Sequence, residues 1–218
     1  MAVNYQLELE RELRQNEGKT PRLLLHCCCA PCSSYVLEYL SSHFFITAHY
    51  YNPNIDTAKE YAHRARELAR FVQEMPLPGA VDVLTEPYVP AEFYAAVKGL
   101  EDVPEGGGRC YACYRLRLRR AAQAAAAGGY DYFTTTLSIS PHKNAVWLNA
   151  LGEAFASEYG VRWLPSDFKK KNGFKRSTEL AAQYGLYRQD YCGCIFSKRE
   201  AEARAAASCQ AKPLQKQE

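Results

Sequence analysis

Short apolar runs alternate with segments of helical periodicity along most of the 218-residue chain. Runs rich in aliphatic and aromatic residues are typical of buried parallel strands and are predicted at 22–26, 44–51, 81–85, 130–136 and 161–164. Apolar residues spaced three and four apart predict helices at about 3–16, 31–40, 56–74, 90–100, 111–127, 144–159 and 177–184, and an Ala-rich helix follows residue 194. This alternation predicts an α/β fold, with a Rossmann-like, mostly parallel sheet and helices on both faces.

The chain is predicted to form a single domain over residues 1–218, since it shows no internal repeat and no clear domain boundary. The core of that domain is expected at about 22–200, with the N-terminal helix and the C-terminal tail peripheral to it. The region after about residue 165 is a candidate lobe over the site. The polar tail from about Lys212 is expected to be disordered.

The hydrophobic content of 47% supports a substantial core. No run approaches the roughly 20 apolar residues that span a membrane, and the N-terminus lacks the apolar segment of a signal peptide. These features predict a cytoplasmic protein. Because structural disulfides are rare there, the nine cysteines indicate metal or redox chemistry.

Charge is unevenly divided between the two halves of the chain. Residues 1–109 carry 10 basic and 15 acidic residues, a net of −5, whereas residues 110–218 carry 17 and 9, a net of +8. Basic clusters lie at 115–120 and 169–176. The asymmetry is compatible with a phosphate-rich partner on the C-terminal half, but charge runs alone favour solvated helix faces.

Eight of the cysteines form three groups that border predicted strands or helices. The groups are Cys27-Cys28-Cys29-x-x-Cys32, Cys110-x-x-Cys113 and Cys192-x-Cys194. Because each borders an element end, all three are expected to meet at one edge of the sheet. A helix N-terminus lowers the pKa of nearby thiols, and the thiolate is the form that binds metal. Three such groups in one chain favour ligands over chance packing.

The number of thiols bears on the kind of metal. A structural zinc site takes four ligands, fewer than the eight thiols present. Four thiolates hold one [4Fe–4S] cluster, which leaves thiols for a second metal or for a dithiol that cycles with a disulfide.

Polar residues at other strand ends are further candidates. Asn52 and Asn54 follow the second predicted strand, either as site residues or as an ordinary turn. Lys143 follows the fourth, at a plausible anion site or an exposed helix start, and Asp167 follows the fifth. Residues 187–191 interleave Tyr and Arg, which suits stacking on a nucleobase. His26 ends an apolar strand and is interpreted as a core histidine, and no triphosphate or dinucleotide motif occurs.

Five motifs occur in order between about residues 22 and 200. They are His26-Cys27-Cys28-Cys29-Ala30-Pro31-Cys32, Asn52-Pro53-Asn54-Ile55 with Glu60-Tyr61 and Arg64, Arg109-Cys110-Tyr111-Ala112-Cys113-Tyr114 with Arg117, Asp167-Phe168-Lys169, and Tyr187-Arg188-Gln189-Asp190-Tyr191-Cys192-Gly193-Cys194. Together they resemble the QueH family of epoxyqueuosine reductases. The resemblance implies a cobalamin-independent oxidoreductase, which removes the epoxide oxygen of epoxyqueuosine at the tRNA wobble position to give queuosine, in the last step of queuosine biosynthesis.

The resemblance also implies cofactors and partners. It implies a [4Fe–4S] cluster beside a second, mononuclear iron or a redox dithiol. The expected partners are the tRNA anticodon stem-loop and an unidentified electron donor, with no membrane involved.

Site residues follow by position in the motifs. The cluster is expected on Cys28, Cys29, Cys110 and Cys113. Cys192 and Cys194 are the expected redox or metal pair, with Cys32 as a further ligand of the second metal. An alternative partition gives the cluster one thiol from each outer pair. Cys27 is an extra thiol without a role, and Cys209 is expected to be structural or exposed.

The remaining roles concern the substrate. Asp167 or Tyr191 is expected to protonate the leaving oxygen. The residues expected to bind substrate are Asn52, Asn54, Arg117, Lys143, Lys169, Arg188 and Gln189.

Three other classes of function stay open at the level of the sequence. One is an iron–sulfur or zinc module that binds tRNA without this catalysis. Another is a tRNA thiolation enzyme, although the Ser-Gly-Gly-rich loop expected after its first strand is replaced here by Cys28 and Cys29. The third is a thiol oxidoreductase that works by disulfide exchange.

Overall fold

A computed structural model describes residues 3–210, the last three by their backbone only. Five parallel strands form one sheet in the order β3-β2-β1-β4-β5. The strands are β1 (Arg22–His26), β2 (Phe45–Tyr50), β3 (Val81–Thr85), β4 (Tyr132–Thr135) and β5 (Arg162–Trp163). This arrangement confirms the predicted parallel α/β fold.

Helices connect the strands and flank the sheet. They are α1 (Tyr5–Gln15), α2 (Ala30–Leu40), α3 (Ala58–Glu74), α4 (Pro90–Ala96), α5 (Gly108–Ala127), α6 (Ala145–Tyr159), α7 (Gly173–Gln183) and α8 (Ile195–Gln210), with a 3₁₀ turn at Thr136–Ile139. Among residues 3–210, no helix combines the length and the apolar character that a membrane span requires.

Alternate residues of β1 face the two layers of the core. Leu23 and Leu25 pack in one cluster with residues of α1, α2, α3 and α7, whereas Leu24 packs in another with residues of α5 and α6. Because successive side chains of a strand point to opposite faces, this one strand is buried on both sides. The sheet is therefore covered by helices on both faces, as predicted.

Most predicted elements lie within a few residues of the observed ones, and the larger differences have a common cause. The helices α5 and α7 begin at Gly108 and Gly173, three and four residues before their predicted starts. Glycine is a poor helix former, so the sequence favoured loops there. The side chain of Cys209 and the tail from Lys212 lie outside the described residues.

The basic clusters are largely neutralised by acidic neighbours. Arg176 pairs with Glu38 at 2.6 Å, Arg119 with Glu158 at 2.7 Å and Arg120 with Glu86 at 2.6 Å. These pairs lie on helix faces, so the clusters match the interpretation as solvated helix surfaces better than a continuous phosphate-binding stripe.

The strand order reverses between β1 and β4. From β1 the chain runs outward through β2 to β3, then crosses to β4 and β5 on the other side. The connections that leave the carboxyl ends of β1 and β4 diverge, which opens a crevice where parallel α/β sheets bind ligands. The first cysteine group directly follows β1 at this point.

Candidate metal centre and substrate cavity

A cavity of about 750 Å³ opens at the crevice beyond β1 and β4. Its walls come from the start of α2, the segment after β4 and the loop before α8. The side chains that line it include Cys28, Cys29, Cys32, Arg117, Lys143, Gln189, Tyr191 and Cys192. The cavity thus joins thiols to polar and aromatic side chains, and its volume suits a small-molecule-sized group.

Three thiols of the first cysteine group form a compact set at the start of α2. The sulfur atoms of Cys28, Cys29 and Cys32 all lie within 4.8 Å of one another, and those of Cys28 and Cys29 are 3.9 Å apart. The N-cap position of α2 is Cys29, so the helix start turns the three side chains together. This set of three thiols is able to hold a metal ion.

Proton sharing within this set lowers the cost of ionising one member. Hydrogen bonds from Cys29 and Cys32 hold the pKa of the Cys28 thiol well below its usual value. The hydrogen bond between Cys29 and Cys28 raises the pKa of Cys29 to about 12. Hydrogen bonds with both of these neighbours raise the pKa of Cys32. One thiolate with two thiol donors is an arrangement that a metal completes by displacing the remaining protons.

Cys27 does not belong to this set. Its side chain is fully buried in the core, and its sulfur donates to the Leu25 carbonyl at 3.4 Å. Burial raises the pKa of the Cys27 thiol, which favours the protonated form. The expectation that Cys27 has no role at the site agrees with this placement.

The other two cysteine groups meet around a second, small cavity. One turn of α5 carries Cys110 and Cys113, and the loop before α8 carries Cys192 and Cys194. All four line a cavity of about 10 Å³. Because Cys192 lines the large cavity as well, the two thiol sets adjoin. The structure therefore brings all three cysteine groups to one edge of the sheet, as the sequence predicts.

Backbone donors point at two of these sulfur atoms. The amide of Gly106 donates to Cys110 at 3.3 Å, and the amide of Ser197 donates to Cys194 at 3.4 Å. Burial raises the pKa of Cys113 to about 11 and that of Cys194 to about 12, so these thiols are protonated until a cation binds. Amide donors to sulfur are the kind of outer interaction that supports a bound thiolate.

Asn54 also faces this small cavity. Its side chain is 3% exposed, and its Oδ1 atom has no hydrogen-bond partner among the described residues. A buried amide oxygen without a donor is unfavourable, which indicates that a bound group belongs beside it. The four thiols beside it are ligands of the kind that a thiophilic metal centre takes.

The Cys192–Cys194 loop is fixed by backbone contacts with the segment after β2. The amide of Asp56 donates to the Gly193 carbonyl at 2.8 Å. Gly193 has φ +120°, and a β-carbon at this position would lie 2.9 Å from Nη1 of Arg64. A φ of this value favours glycine, so Gly193 allows the chain to turn between Cys192 and Cys194.

Two cations lie among the thiols. The guanidinium of Arg117, one helical turn after Cys113, is buried and hydrogen-bonds to Asn52 Oδ1 at 2.5 Å. The ammonium of Lys143 donates to Cys192 at 3.0 Å. Although burial lowers its pKa, the nearby Cys192 outweighs that effect and raises the pKa of Lys143.

Four of the seven residues predicted to bind substrate line the large cavity, and three do not. The large cavity is lined by Arg117, Lys143, Arg188 and Gln189, and Gln189 Oε1 is buried there without a partner. Asn52 is 1% exposed. Its amide oxygen accepts a hydrogen bond from Arg117, and its amide nitrogen donates to the Cys27 carbonyl at 2.9 Å. Asn54 lies at the small cavity instead, and Lys169 lines neither.

The two predicted proton donors also differ in position. Tyr191 lines the large cavity, and its ring lies 5.4 Å from the guanidinium carbon of Arg64. Asp167 is 8% exposed, forms an ion pair with Lys169 and lines neither cavity. His26 is fully buried, with Nδ1 2.8 Å from Thr135 Oγ1, which agrees with its interpretation as a core histidine.

Sequence reasoning gave no role to Phe174, which lines the large cavity with 40% of its side chain exposed. It lies on α7, far along the chain from the thiols, and its apolar character alone is that of an ordinary helix residue. The sequence also gave no sign that the Asn54 oxygen lacks a hydrogen-bond partner, because hydrogen bonding within a loop is not visible in a sequence.

Comparison with known proteins gives a consistent picture. The profile of the family described as epoxyqueuosine reductase QueH matches residues 23–200. The chain is 42% identical over 201 residues to the epoxyqueuosine reductase QueH of Streptococcus pyogenes serotype M1, covering 90% of this chain and 79% of the relative. Identity to the protein of the same name from Staphylococcus epidermidis is also 42%, with 89% and 84% covered.

A more distant relative and a solved structure extend the comparison. The epoxyqueuosine reductase QueH of Haemophilus influenzae is 33% identical over 214 residues, with 91% of this chain and 86% of the relative covered. Among solved structures, the U34-tRNA thiolase NcsA from Methanococcus maripaludis with its [4Fe-4S] cluster aligns with a TM-score of 0.49 at 13% identity, covering 94% of this chain and 74% of the thiolase.

Proposed function

The chain belongs to the QueH family of epoxyqueuosine reductases, and we propose that it reduces epoxyqueuosine to queuosine at the wobble position of tRNA. The observation that carries this function is the family match over residues 23–200, which contains all seven thiols of the site. The protein is a cobalamin-independent oxidoreductase. Its proposed location is the cytoplasm, where tRNA is modified.

The reaction requires two electrons and two protons. Both carbon–oxygen bonds of the epoxide break, a carbon–carbon double bond forms in the cyclopentane ring, and the oxygen leaves as water. Clustered thiolates are the ligands of iron–sulfur groups, which supply electrons, so the thiols are proposed to hold a redox metal centre. An electron donor, not yet identified, replenishes it.

We propose a [4Fe–4S] cluster on four of the seven thiols, with Cys28, Cys29, Cys110 and Cys113 as the expected ligands. Cys32, Cys192 and Cys194 would then hold a second iron or act as a redox pair. A bound cluster would supply electrons one at a time, and a second iron held by these thiols would supply Lewis-acid chemistry for the epoxide oxygen. The seven thiols support a thiophilic centre at this place.

The small cavity supports the alternative partition as well. Since Cys110 and Cys113 line it together with Cys192 and Cys194, a cluster that takes thiols from both of these pairs is the alternative proposal. The set of Cys28, Cys29 and Cys32 would then serve the second metal.

The large cavity is proposed to receive the modified nucleoside. Its volume of about 750 Å³ lies in the range of small-molecule sites and leaves room for a flipped base with its cyclopentane ring. The unpartnered Gln189 Oε1 is proposed to accept a hydrogen bond from the base edge, and the exposed Arg188 to contact a phosphate. Asn52, Asn54 and Lys169 would act indirectly, because they do not line this cavity.

The proton for the leaving oxygen is proposed to come from the hydroxyl of Tyr191, a residue that lines the cavity. Asp167 is a weaker candidate, since its carboxylate is bound to Lys169 away from both cavities. The Arg64 guanidinium over the Tyr191 ring would hold that side chain in place.

The function is tested by mass spectrometry of tRNA nucleosides from cells that lack the gene. We expect epoxyqueuosine to accumulate and queuosine to disappear, and the unsubstituted gene to reverse both changes. A gene with Tyr191→Phe should restore queuosine only partly. Normal queuosine in the deletion strain, in the absence of any other reductase for this substrate, would contradict the proposal.

A further inference from the structure

Arg117 is a permanent positive charge enclosed in the protein. Only 2% of its side chain is exposed, and a guanidinium keeps its proton under all conditions in which proteins fold. Burying an uncompensated charge is strongly unfavourable, because the charge loses its hydration. The fold must therefore place a negative charge beside it.

The hydrogen-bond partners of Arg117 are neutral. Nη2 donates to Asn52 Oδ1 at 2.5 Å, and Nε lies 3.4 Å from His26 Nε2. A histidine side chain is either neutral or positively charged, so it offers Arg117 no counter-charge. Neither partner compensates the charge.

Two other buried arginines near the site each have a carboxylate as counter-charge. Arg64 is paired with Glu60 at 2.7 Å and Arg109 with Glu200 at 2.7 Å. Within the described part of the chain, no carboxylate forms such a pair with Arg117. Its counter-charge must come from another kind of group.

The groups that face Arg117 are sulfur atoms from both thiol sets. Arg117 lines the large cavity together with Cys28 and Cys192, and Cys113 lies one helical turn before it on α5. Since Cys113 and Arg117 are four residues apart on α5, they lie on the same face of the helix. Arg117 therefore stands where the three cysteine segments meet.

We propose that Arg117 is the fixed counter-cation of the metal centre, which balances thiolates from Cys28, Cys113 and Cys192 and raises the reduction potential of the bound iron–sulfur group. This inference rests on the proposed function for the identity of the metal centre. Arg117 is a positioning residue in this sense, because it acts on the electrons through the thiolates.

The direction of the effect follows from electrostatics. Reduction of the centre adds one negative charge next to the guanidinium, and the attraction is strong where water is excluded. A nearby cation thus stabilises the reduced state more than the oxidised one. Removing the cation should make the centre harder to reduce.

The test is a redox titration of the anaerobically prepared protein, followed by electron paramagnetic resonance. We expect Arg117→Met to lower the midpoint potential by at least the 59 mV that correspond to a tenfold change in a one-electron equilibrium. Arg117→Lys, which keeps the charge, should retain most of the potential. The control is Arg115→Met, which changes net charge equally at an exposed position of the same helix and should leave the potential unchanged.

A second variant covers the case in which Arg117→Met does not hold the centre. Asn52→Asp keeps Arg117 but places a carboxylate on its Nη2 atom, so the charge is neutralised within the site. It should lower the potential in the same direction, with an unchanged circular dichroism spectrum.

The outcomes separate this inference from the proposed function. A midpoint potential that falls by less than 59 mV in Arg117→Met, or that does not fall in Asn52→Asp, overturns the role of Arg117 and leaves the reductase function intact. Absence of iron and sulfide from the unsubstituted protein overturns the inference together with the proposed cofactor. Loss of queuosine formation alone, without a shift in potential, indicates a substrate contact and also overturns the role.

Discussion

The ammonium of Lys143 lies 3.0 Å from the sulfur of Cys192. The same ammonium is 3.5 Å from a carboxylate oxygen of Glu105, and only 9% of the Lys143 side chain is exposed. A lysine held in this way by a thiol and a carboxylate is poorly placed for a contact with the nucleic-acid backbone. Its positive charge acts on groups inside the site, Cys192 and Glu105.

Lys143→Met should therefore lower turnover without changing the salt dependence of tRNA binding. We expect kcat to fall by about tenfold or more, because a charge beside Cys192 is lost, whereas binding curves at several salt concentrations should keep their slope. The matched control is Arg188→Gln at the exposed cavity wall, which should reduce the slope by about one. Equal loss of slope in both variants would show that Lys143 contacts a phosphate.

Cys110→Ala should abolish the iron–sulfur absorbance and the formation of queuosine together. The thiol of Cys110 lines the small cavity and accepts a hydrogen bond from the Gly106 amide, as expected of a ligand. The control is Cys27→Ala, whose sulfur is turned to the Leu25 carbonyl in the core. It should keep full iron and sulfide content by chemical analysis. Normal iron in Cys110→Ala would remove this residue from the ligand set.

Gly193→Ala should destabilise the Cys192–Cys194 loop more than strain alone explains. Both Gly193 and Gly185 have positive φ, +120° and +55°, but only at Gly193 would a β-carbon meet a neighbour, Arg64 at 2.9 Å. A change to alanine costs about 1 kcal/mol at Gly185 from backbone strain. We expect a larger loss in the free energy of unfolding and reduced iron content at Gly193.

Urea unfolding of both variants, with iron analysis of the folded protein, measures the two effects. If Gly193→Ala binds as much iron as Gly185→Ala does, the close approach to Arg64 is unimportant for the thiols.

The ion pairs of Glu86 should stabilise the protein in a pH-dependent way. Burial raises the pKa of Glu86, but hydrogen bonds from His49 and Arg120 outweigh it and lower the pKa to about 2. A carboxylate with a depressed pKa stabilises the fold above its unfolded value of about 4.5, and this stabilisation is lost as the pH falls from there towards 2.

Glu86→Gln measures this contribution. Allowing for partial exposure of Arg120, we expect the variant to be less stable than the unsubstituted protein by about 2 kcal/mol at pH 7, and by roughly 1 kcal/mol at pH 3.5. The measurement is urea unfolding of both proteins at the two pH values. A difference that does not shrink in acid would mean that the carboxylate charge is not the cause.

Local patterns were enough to predict the order of elements and the meeting of the cysteine groups. The leucines between Arg22 and His26 form an apolar run, and β1 is buried on both faces. Few structures other than a buried parallel strand suit such a run. Thiols placed at the ends of parallel elements then share an edge whatever the details of packing. The fold and the place of the centre follow from these two facts.

Contacts between distant segments were not predictable. The docking of Gly193 against Arg64, the unpartnered oxygen of Asn54 and the neutral partners of Arg117 each depend on the exact approach of two loops or helices. The sequence also placed Asn52 among substrate contacts, because a polar residue at a strand end is equally typical of a site and of its support. Burial decides between these roles, and burial is a property of the whole fold.

The division of the thiols among three segments has a consequence for the life of the protein in the cell. The segments are separated from one another by about 80 residues along the chain. At about 5–20 residues per second of synthesis, roughly 10 to 30 s pass between the emergence of Cys28 and that of Cys194. A metal centre that takes thiols from all three segments can be completed only after the last of them has emerged. Assembly of such a centre is therefore one of the last events in the maturation of the protein.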